Sequence, residues 1–392
     1  MSDTSFDFFK VDSFLSDRQR SVRDAVRSYV QQEVLPAINP YWDRAEFPRD
    51  IAMKMRDIDP QIIGGIIRGW GSAGLDPLEM GLTMYELAKG DGSISTFYGV
   101  HSGLAMGSIG LLGSDEQRER WLPAMSRLEK IGAFGLTEPE HGSDATSIDT
   151  RAVRDGDCYV LNGSKRWIGN ASISDVLIIW ARDEEDGIGG FVIEDPQSVE
   201  GLVIEDLQGK ISKRAVLNAQ ITLNDVHVPA ENRLAKTKTF NDIGKVLTVG
   251  RVGVAWEAAG AAAGAFEHAL RYAQEREQFG RPIASFQLIQ QKLVEMATEL
   301  TAMQLMSFQL SALLGLGQIT PGMASMAKYN NARKARYIAA LARETMGGNG
   351  ILIDNHVARL FTDAEAIYTY EGTNEVQLLL VGRELTGINA LV

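Results

Sequence analysis

Apolar positions recur at helical spacing through the first third of the chain. Between Ser16 and Leu35 the residues Val22, Val26, Tyr29 and Val30 share one face, Ser16 and Gln19 have the spacing of a capping box, and Pro36 ends the run. Met80 to Ala88, Ser95 to Leu112 and Asp115 to Leu128 read the same way, with Ser114 placed as an N-cap for the last of them. Residues 1–130 are therefore expected to form an all-α domain. Inside it Gly69, Gly71 and Gly74 match G-x-G-x-x-G, but no strand precedes them and helices follow, so the stretch is expected to connect helices rather than bind a nucleotide.

From about Ile131 the period changes to short alternating runs: Cys158 to Asn162, Lys165 to Gly169, Val176 to Ala181, Gly190 to Glu194, Leu202 to Glu205 and Ala219 to Val228. Asn162-Gly163 between the first two predicts a hairpin turn, and residues 131–235 a small β domain, a barrel or sandwich. After Pro229 the helical period returns over Asp242 to Gln274, Ser285 to Leu316 and Pro321 to Met346. The small side chains from Ala258 to Gly264 would admit a closely packed neighbour. With a further helix after Glu371, residues 236–392 are expected to form an antiparallel four-helix bundle, making the chain α+β overall.

Composition narrows the function classes. The chain has 392 residues, 45% hydrophobic and 23% charged, with a net charge of −12; this is ordinary globular composition, and clustered basic residues for nucleic acid are lacking. A single cysteine, Cys158, excludes an internal disulfide and fits a reducing compartment. The opening MSDTSFDFF lacks the charge and apolar core of a secretory signal, INALV is not a peroxisomal ending, and Arg251 and Glu257 interrupt the apolar stretch after Val246, so a cytoplasmic protein without a membrane span is expected. His101, His141, His227, His268 and His356 are not at metal spacing, and no metal site is expected.

The candidate chemistry lies in Ala366 to Gly387. Glu371 stands between the semi-aromatic Ile367-Tyr368-Thr369-Tyr370 and a Gly372-Thr373 pair that opens a helix carrying Val376, Leu379 and Leu380. Gly372 lets backbone pass close to a ligand, and Thr373 suits an N-cap. A carboxylate walled by such neighbours is partly desolvated, which raises its pKa towards that of a general base. The pattern equally suits an ordinary first-turn acid favoured by the helix dipole.

Further motifs follow one order. Phe134-Gly135-Leu136-Thr137-Glu138-Pro139-Glu140-His141-Gly142-Ser143-Asp144 combines backbone donors, hydroxyls and glycine in one loop, and Trp167-Ile168-Gly169 could place an indole over a ring. Together with Arg276-Glu277-Gln278-Phe279-Gly280, Met346-Gly347-Gly348-Asn349-Gly350 and Tyr370-Glu371-Gly372-Thr373, the sequence resembles the acyl-CoA dehydrogenase family over nearly its whole length. Gly90-Asp91-Gly92-Ser93, Trp167-Ile168-Gly169-Asn170 and Gly382-Arg383-Glu384-Leu385-Thr386-Gly387 are most similar to the glutaryl-CoA dehydrogenase branch and to plant peroxisomal short-chain acyl-CoA oxidases.

The resemblance implies an FAD enzyme that removes an α-proton from a short acyl-CoA with Glu371 while a β-hydride passes to the flavin. It implies FAD contacts at Phe134, Leu136, Thr137, Gly142 and Ser143, and at Trp167, Ile168 and Gly169. Arg276, Phe279, Gln287, Glu344, Met346, Gly347 and Gly348 would reach the FAD of a neighbouring subunit, and Thr373, Asn374 and Glu375 would close over the cofactor. Ser143, Arg251, Gly372, Ser95 and Thr96 would meet substrate. A homotetramer passing electrons to an electron-transfer flavoprotein is implied. Glutaryl-CoA is not expected as substrate, because Ser95 stands where decarboxylating relatives carry an arginine. Gly169, threonine in most relatives, would leave room beside the flavin for oxygen, so an oxidase is the alternative; a non-catalytic CoA-ester binder is the alternative from another class.

Overall fold

The computed structural model describes residues 7–183 and 187–390; the readings made of the first six residues and of Leu391 and Val392 lie outside them. Helix α1 (Asp17–Tyr29) starts at the expected capping box, Ser16 Oγ accepting from the Gln19 N–H while the Gln19 side chain accepts from Ser16. The helical run ends just before Pro36, in a turn over residues 35–37. A π-helical turn over Val30–Val34 leads into α2 (Ile38–Arg44), and α3 (Arg49–Met53) follows. The glycine-rich Gly69 to Gly74 is a small hairpin, β1 (Arg68–Gly69) against β2 (Ser72–Ala73), rather than a plain helix connection. Trp70 and Gly71 take positive φ at its tip, a combination that suits a reversing turn.

Helices α4 (Pro77–Gly90), α5 (Gly92–Tyr98), α6 (Met106–Leu112) and α7 (Asp115–Ser126) complete the block, the last from a Ser114–Gln117 capping box. A second π-helical turn, Gly99–Ala105, joins α5 to α6. Such turns recur beside functional sites, and this one does line the site described below.

The β domain is one seven-stranded sheet curled over its own core of Ala133, Leu161, Ile179, Phe191, Ile221 and Val226. Its strands are β3 (Gly132–Gly135), β4 (Arg151–Asp155), β5 (Cys158–Gly169), β6 (Val176–Asp183), β7 (Gly187–Glu194), β8 (Leu202–Asp206) and β9 (Asn218–Pro229). They run in the order β3-β6-β4-β5-β9-β8, with β7 on β6. Asn162-Gly163 is not a hairpin turn. It lies within β5 at a register shift against β9, while the β4–β5 reversal is at Gly156-Asp157. The Asn162 amide bonds across to Asp225, donating to its carboxylate and accepting from its N–H, both at 2.9 Å. A Cβ on Gly163, whose φ is 146°, would come 2.7 Å from Thr150 Cα. The turn-like dipeptide therefore serves a bulge that bends the strand.

The C-terminal block holds α8 (Phe240–Glu275), the ribbon β10 (Glu277–Gln278) and β11 (Arg281–Pro282), α9 (Gln287–Gly315) and α10 (Pro321–Thr345). It continues with α11 (Val357–Thr369) and α12 (Asn374–Thr386). Helix α11 was not anticipated. The close neighbour expected for the small residues of α8 is α4: a Cβ on Gly260 would lie 2.1 Å from the Tyr85 carbonyl, and one on Gly264 2.3 Å from that of Lys89. Helices of the first and last blocks share one core, in which Trp121, Trp256 and Phe266 are buried. No helix among the described residues is long and apolar enough to cross a membrane.

Candidate active site

Glu371 occupies the short connection between α11 and α12. Its φ is 54° and that of Gly372 is 85°, so a non-glycine residue is held in the left-handed region, and the surroundings must enforce it. Two buried side chains do so. Gln377 Nε2 donates to the carbonyls of Glu371 (2.9 Å) and Gly372 (3.0 Å), and Lys328 Nζ on α10 donates to those of Tyr368 (3.0 Å) and Gly372 (2.9 Å). Thr373 Oγ1 accepts from the Val376 N–H as the expected N-cap.

The loop aims the carboxylate at α8. A Cβ built on Gly250 would lie 3.2 Å from Glu371 Oε2 and 3.6 Å from Leu104 Cδ2. Glu371 Oε2 is buried and accepts no hydrogen bond, and neither does the buried Nε of the neighbouring Arg251 donate one. Burial pushes the Glu371 pKa up, the charges of Arg251 and Lys328 pull it down, Glu257 adds to the rise, and the net shift is upward. Burial also lowers Arg251 and takes Lys328 down to about 8. An unpartnered carboxylate of raised pKa, held by the backbone rather than by its own hydrogen bonds, is suited to accept a proton from a ligand.

The loop from Phe134 to Asp144 is anchored at its middle. Glu138 accepts from Lys165 Nζ (2.7 Å), Asp149 N (2.6 Å) and Thr150 N (2.9 Å). Burial pushes Glu138 up, yet Lys165 and Thr150 outweigh it and its pKa falls. Phe134 and Leu136 are buried at the strand end, Thr137 is partly exposed, and Gly142 and Ser143 project outward, with nothing within 4 Å of a Cβ on Gly142. His141 and Asp149 lie beside Glu138, but Glu138 is already engaged by the lysine and the backbone.

Trp167 holds φ 66° and is 55% exposed, an unusual posture for the largest side chain, while Ile168 beside it is buried. The room expected at Gly169 is narrower than the missing side chain suggests, since a Cβ there would stand 3.1 Å from Val100 Cγ2 on the π-helical turn. An exposed indole, an outward loop with a bare glycine and an unpartnered buried carboxylate suit a planar, hydrogen-bonding cofactor such as a flavin, with Trp167 to Gly169 and Gly142-Ser143 as its holders.

Not all expected residues converge. Glu371, Gly372, Arg251 and Thr373 to Glu375 gather around the α11–α12 connection, but Asn374 is buried, its amide donating to the Tyr329 carbonyl at 3.1 Å. Arg276, Phe279, Gln287, Glu344, Met346, Gly347 and Gly348 form a separate group at the far end of the bundle, where Lys292 on α9 pairs with Glu344 at 2.8 Å. Lys328 and Glu344 bound one stretch of α10 and lie about 24 Å apart along its axis. Ser95 is fully buried, donating to the Gly92 carbonyl and to Glu257, and only Thr96 of that pair keeps access. The supposed absence of a cation beside them is corrected too: Lys213 Nζ is 2.7 Å from Thr96 Oγ1, paired with Glu257. Lys328, Gln377, Gly250, Val100 and Leu104 escaped the sequence reading. Only Glu257 left a signal, as an acid in an apolar run.

Three family models cover the chain: acyl-CoA dehydrogenase N-terminal domain over residues 16–129, middle domain over 133–226 and C-terminal domain over 240–386. The chain is 35% identical to a 3-(aryl)acrylate reductase of Clostridium sporogenes, over 95% of this chain and 99% of that one. It is 33% identical to a caffeyl-CoA reductase-Etf complex subunit of Acetobacterium woodii (94% and 98% covered) and to a short-chain specific acyl-CoA dehydrogenase of Clostridium acetobutylicum (96% and 100%). Among solved structures it resembles a glutaryl-CoA dehydrogenase from Mycobacterium smegmatis, with TM-score 0.94, 38% identity, and 97% and 98% covered. A second such structure, in complex with FADH2, matches with TM-score 0.94 and 34% identity, 98% of each chain covered. With all three domains matched and relatives at this identity along nearly its full length, the chain belongs to the acyl-CoA dehydrogenase family of flavoprotein oxidoreductases, with FAD as cofactor.

Proposed function

We propose that the protein catalyses the α,β-dehydrogenation of a short acyl-CoA to the trans-2-enoyl-CoA, with Glu371 as the base. The observation that carries this is the buried, unpartnered Glu371 Oε2 facing the bare Gly250, with Arg251 and Lys328 close enough to moderate its charge. Gly250 leaves room for a thioester's α-carbon to approach the carboxylate, and the raised pKa matches the base to a weakly acidic proton. FAD supplies the hydride-accepting centre. Trp167, Ile168 and Gly169, with Phe134 to Ser143, would hold it, and Arg251 and Thr96 would meet substrate. Packing of Val100 against Gly169 supports a dehydrogenase over an oxidase, since the gap open to oxygen is partly filled.

An electron-transfer flavoprotein is the proposed acceptor, supported by the relative named as part of an Etf complex. The group around Arg276 and Glu344 would serve the FAD of a neighbouring copy in a homotetramer, a reading supported by its distance from Glu371 and by Phe279, 93% exposed. Cytoplasmic location fits the free Cys158. The test is an anaerobic titration of the FAD-loaded protein with an acyl-CoA panel. Bleaching of the flavin by short saturated acyl-CoAs supports the proposal. A flavin that none of them reduces refutes it.

A further inference from the structure

The stretch from Asp91 to Ile109 is almost wholly buried, and the exceptions form a stripe: Thr96, Gly99, Val100, Gly103 and Leu104. Their spacing puts them on one helical face. Leu104 neighbours Gly250 and the Glu371 carboxylate, Val100 packs on Gly169, and Thr96 lies one turn beyond, about 6 Å further. The stripe thus runs past Glu371 towards Thr96. At the Leu104 end stand the partly exposed Leu247, Gly250 and Arg251. At the Thr96 end Ser95, Lys213 and Glu257 are buried, so an acyl tail extending this way would end against them.

That end is polar. Lys213 Nζ donates to Thr96 Oγ1 (2.7 Å), Glu257 Oε1 (2.5 Å) and the Tyr370 hydroxyl (2.6 Å). The Tyr370 hydroxyl donates to Glu257 Oε2, that of Ser95 to Glu257 Oε1 (2.7 Å), and that of Thr96 to the Gly92 carbonyl (2.8 Å). Lys213 is fixed there by a left-handed backbone (φ 47°) and by its N–H, which donates to Asp363 Oδ1 at 2.5 Å. An ammonium has three protons and a hydroxyl one, so every proton of the cluster has an acceptor. The Tyr370 oxygen accepts from Lys213 and is also bonded to Thr96; what remains is a lone pair on Thr96 Oγ1, and Thr96 keeps partial solvent access.

We propose that the acyl group this site prefers ends in a neutral hydrogen-bond donor, a hydroxyl or amide N–H, received by Thr96 Oγ1. A carboxylate tail would meet no free proton and would face Glu257, because the charge of Lys213 is already matched by that residue. A hydrocarbon tail would leave the Thr96 lone pair desolvated and unmatched. The inference rests on the acyl-CoA dehydrogenase reading and sharpens its substrate class.

The test compares kcat/KM of the holoenzyme for hydroxyl-terminated, alkyl and carboxyl-terminated acyl-CoAs of matched length. The hydroxyl-terminated compounds should exceed their alkyl counterparts by about tenfold or more, with the carboxyl series weakest. In Thr96→Val the hydroxyl-to-alkyl ratio should fall several-fold, read as a ratio within one preparation so that partial misfolding cancels. Equal or better use of the alkyl series, a preference for the carboxyl series, or a ratio untouched in Thr96→Val overturns the inference while leaving the dehydrogenase intact. Failure of every acyl-CoA to bleach the flavin removes both.

Discussion

Replacing Lys328 with methionine separates what holds Glu371 from what holds the fold. The ammonium spans the carbonyls of Tyr368 and Gly372, on either side of Glu371. Two charge-assisted hydrogen bonds are lost, worth about 1.5–3 kcal/mol each. Two terms offset this. The Gly372 carbonyl keeps the Gln377 amide, so only that of Tyr368 loses its lysine without such a substitute. The buried cation is itself costly: its pKa falls from 10.5 to about 8, and at neutral pH that drop is worth about 3 kcal/mol, which methionine does not incur. Lys328→Met should therefore unfold within about 1–2 kcal/mol of the wild type.

Catalysis should not be spared. Loss of a neighbouring positive charge favours the protonated form of Glu371, so the acid limb of the kcat/KM profile moves to higher pH. A slackened loop adds misplacement of the carboxylate, for a combined loss at neutral pH of about ten- to a hundredfold. The assay is a pH series with a dye acceptor, beside flavin content and thermal unfolding of the same samples. Activity within about twofold of wild type with an unmoved acid limb, or a limb displaced to lower pH, would refute the reasoning.

Three further outcomes follow from contacts around the base. Gly372→Ala puts a Cβ 2.3 Å from Gln377 Nε2 at a φ of 85°, so it should lower kcat by about a hundredfold, with a reduced Tm; wild-type steady-state rates would show the clamp to be dispensable. Gly169→Thr must displace Val100, 3.1 Å from the new Cβ, and should slow flavin reduction; Val100→Ala in the same chain should restore much of the rate. Glu371→Gln should raise Tm at neutral pH. The raised pKa means that the native state disfavours the charged form, so Glu371 costs stability once pH exceeds its folded pKa and nothing below the ordinary carboxylate range; the gain should vanish on acidification, as melts from pH 7 down to about pH 4 would reveal.

What could be read in the sequence was local. The Ser16–Gln19 capping box and the Ser114 and Thr373 N-caps lie within a few residues of their partners, and all three form. Asn162-Gly163 misled because a dipeptide that favours left-handed backbone suits a bulge as well as a hairpin, and only the cross-strand partner Asp225 decides between them. The helix entrance at Glu371 was legible from its glycine and cap, whereas the side chains that hold it were not. Lys328 and Lys213 come from distant segments, and each looks like a surface charge until folding buries it, Lys328 beside carbonyls and Lys213 beside the counter-charge of Glu257. The gap at Gly169 likewise depends on Val100, far off in the chain.

The central claim is that Glu371 takes the α-proton, and rapid anaerobic mixing of wild type and Glu371→Gln with one saturated acyl-CoA tests it most directly. Glutamine keeps the shape of the side chain and, with it, the Gln377 and Lys328 contacts to the backbone. The account predicts normal FAD content and acyl-CoA binding in the variant, seen as an immediate perturbation of the flavin spectrum, with bleaching slowed by about a thousandfold or more, within the range attributed to a positioned general base. Bleaching in Glu371→Gln within about tenfold of wild type would place the base elsewhere.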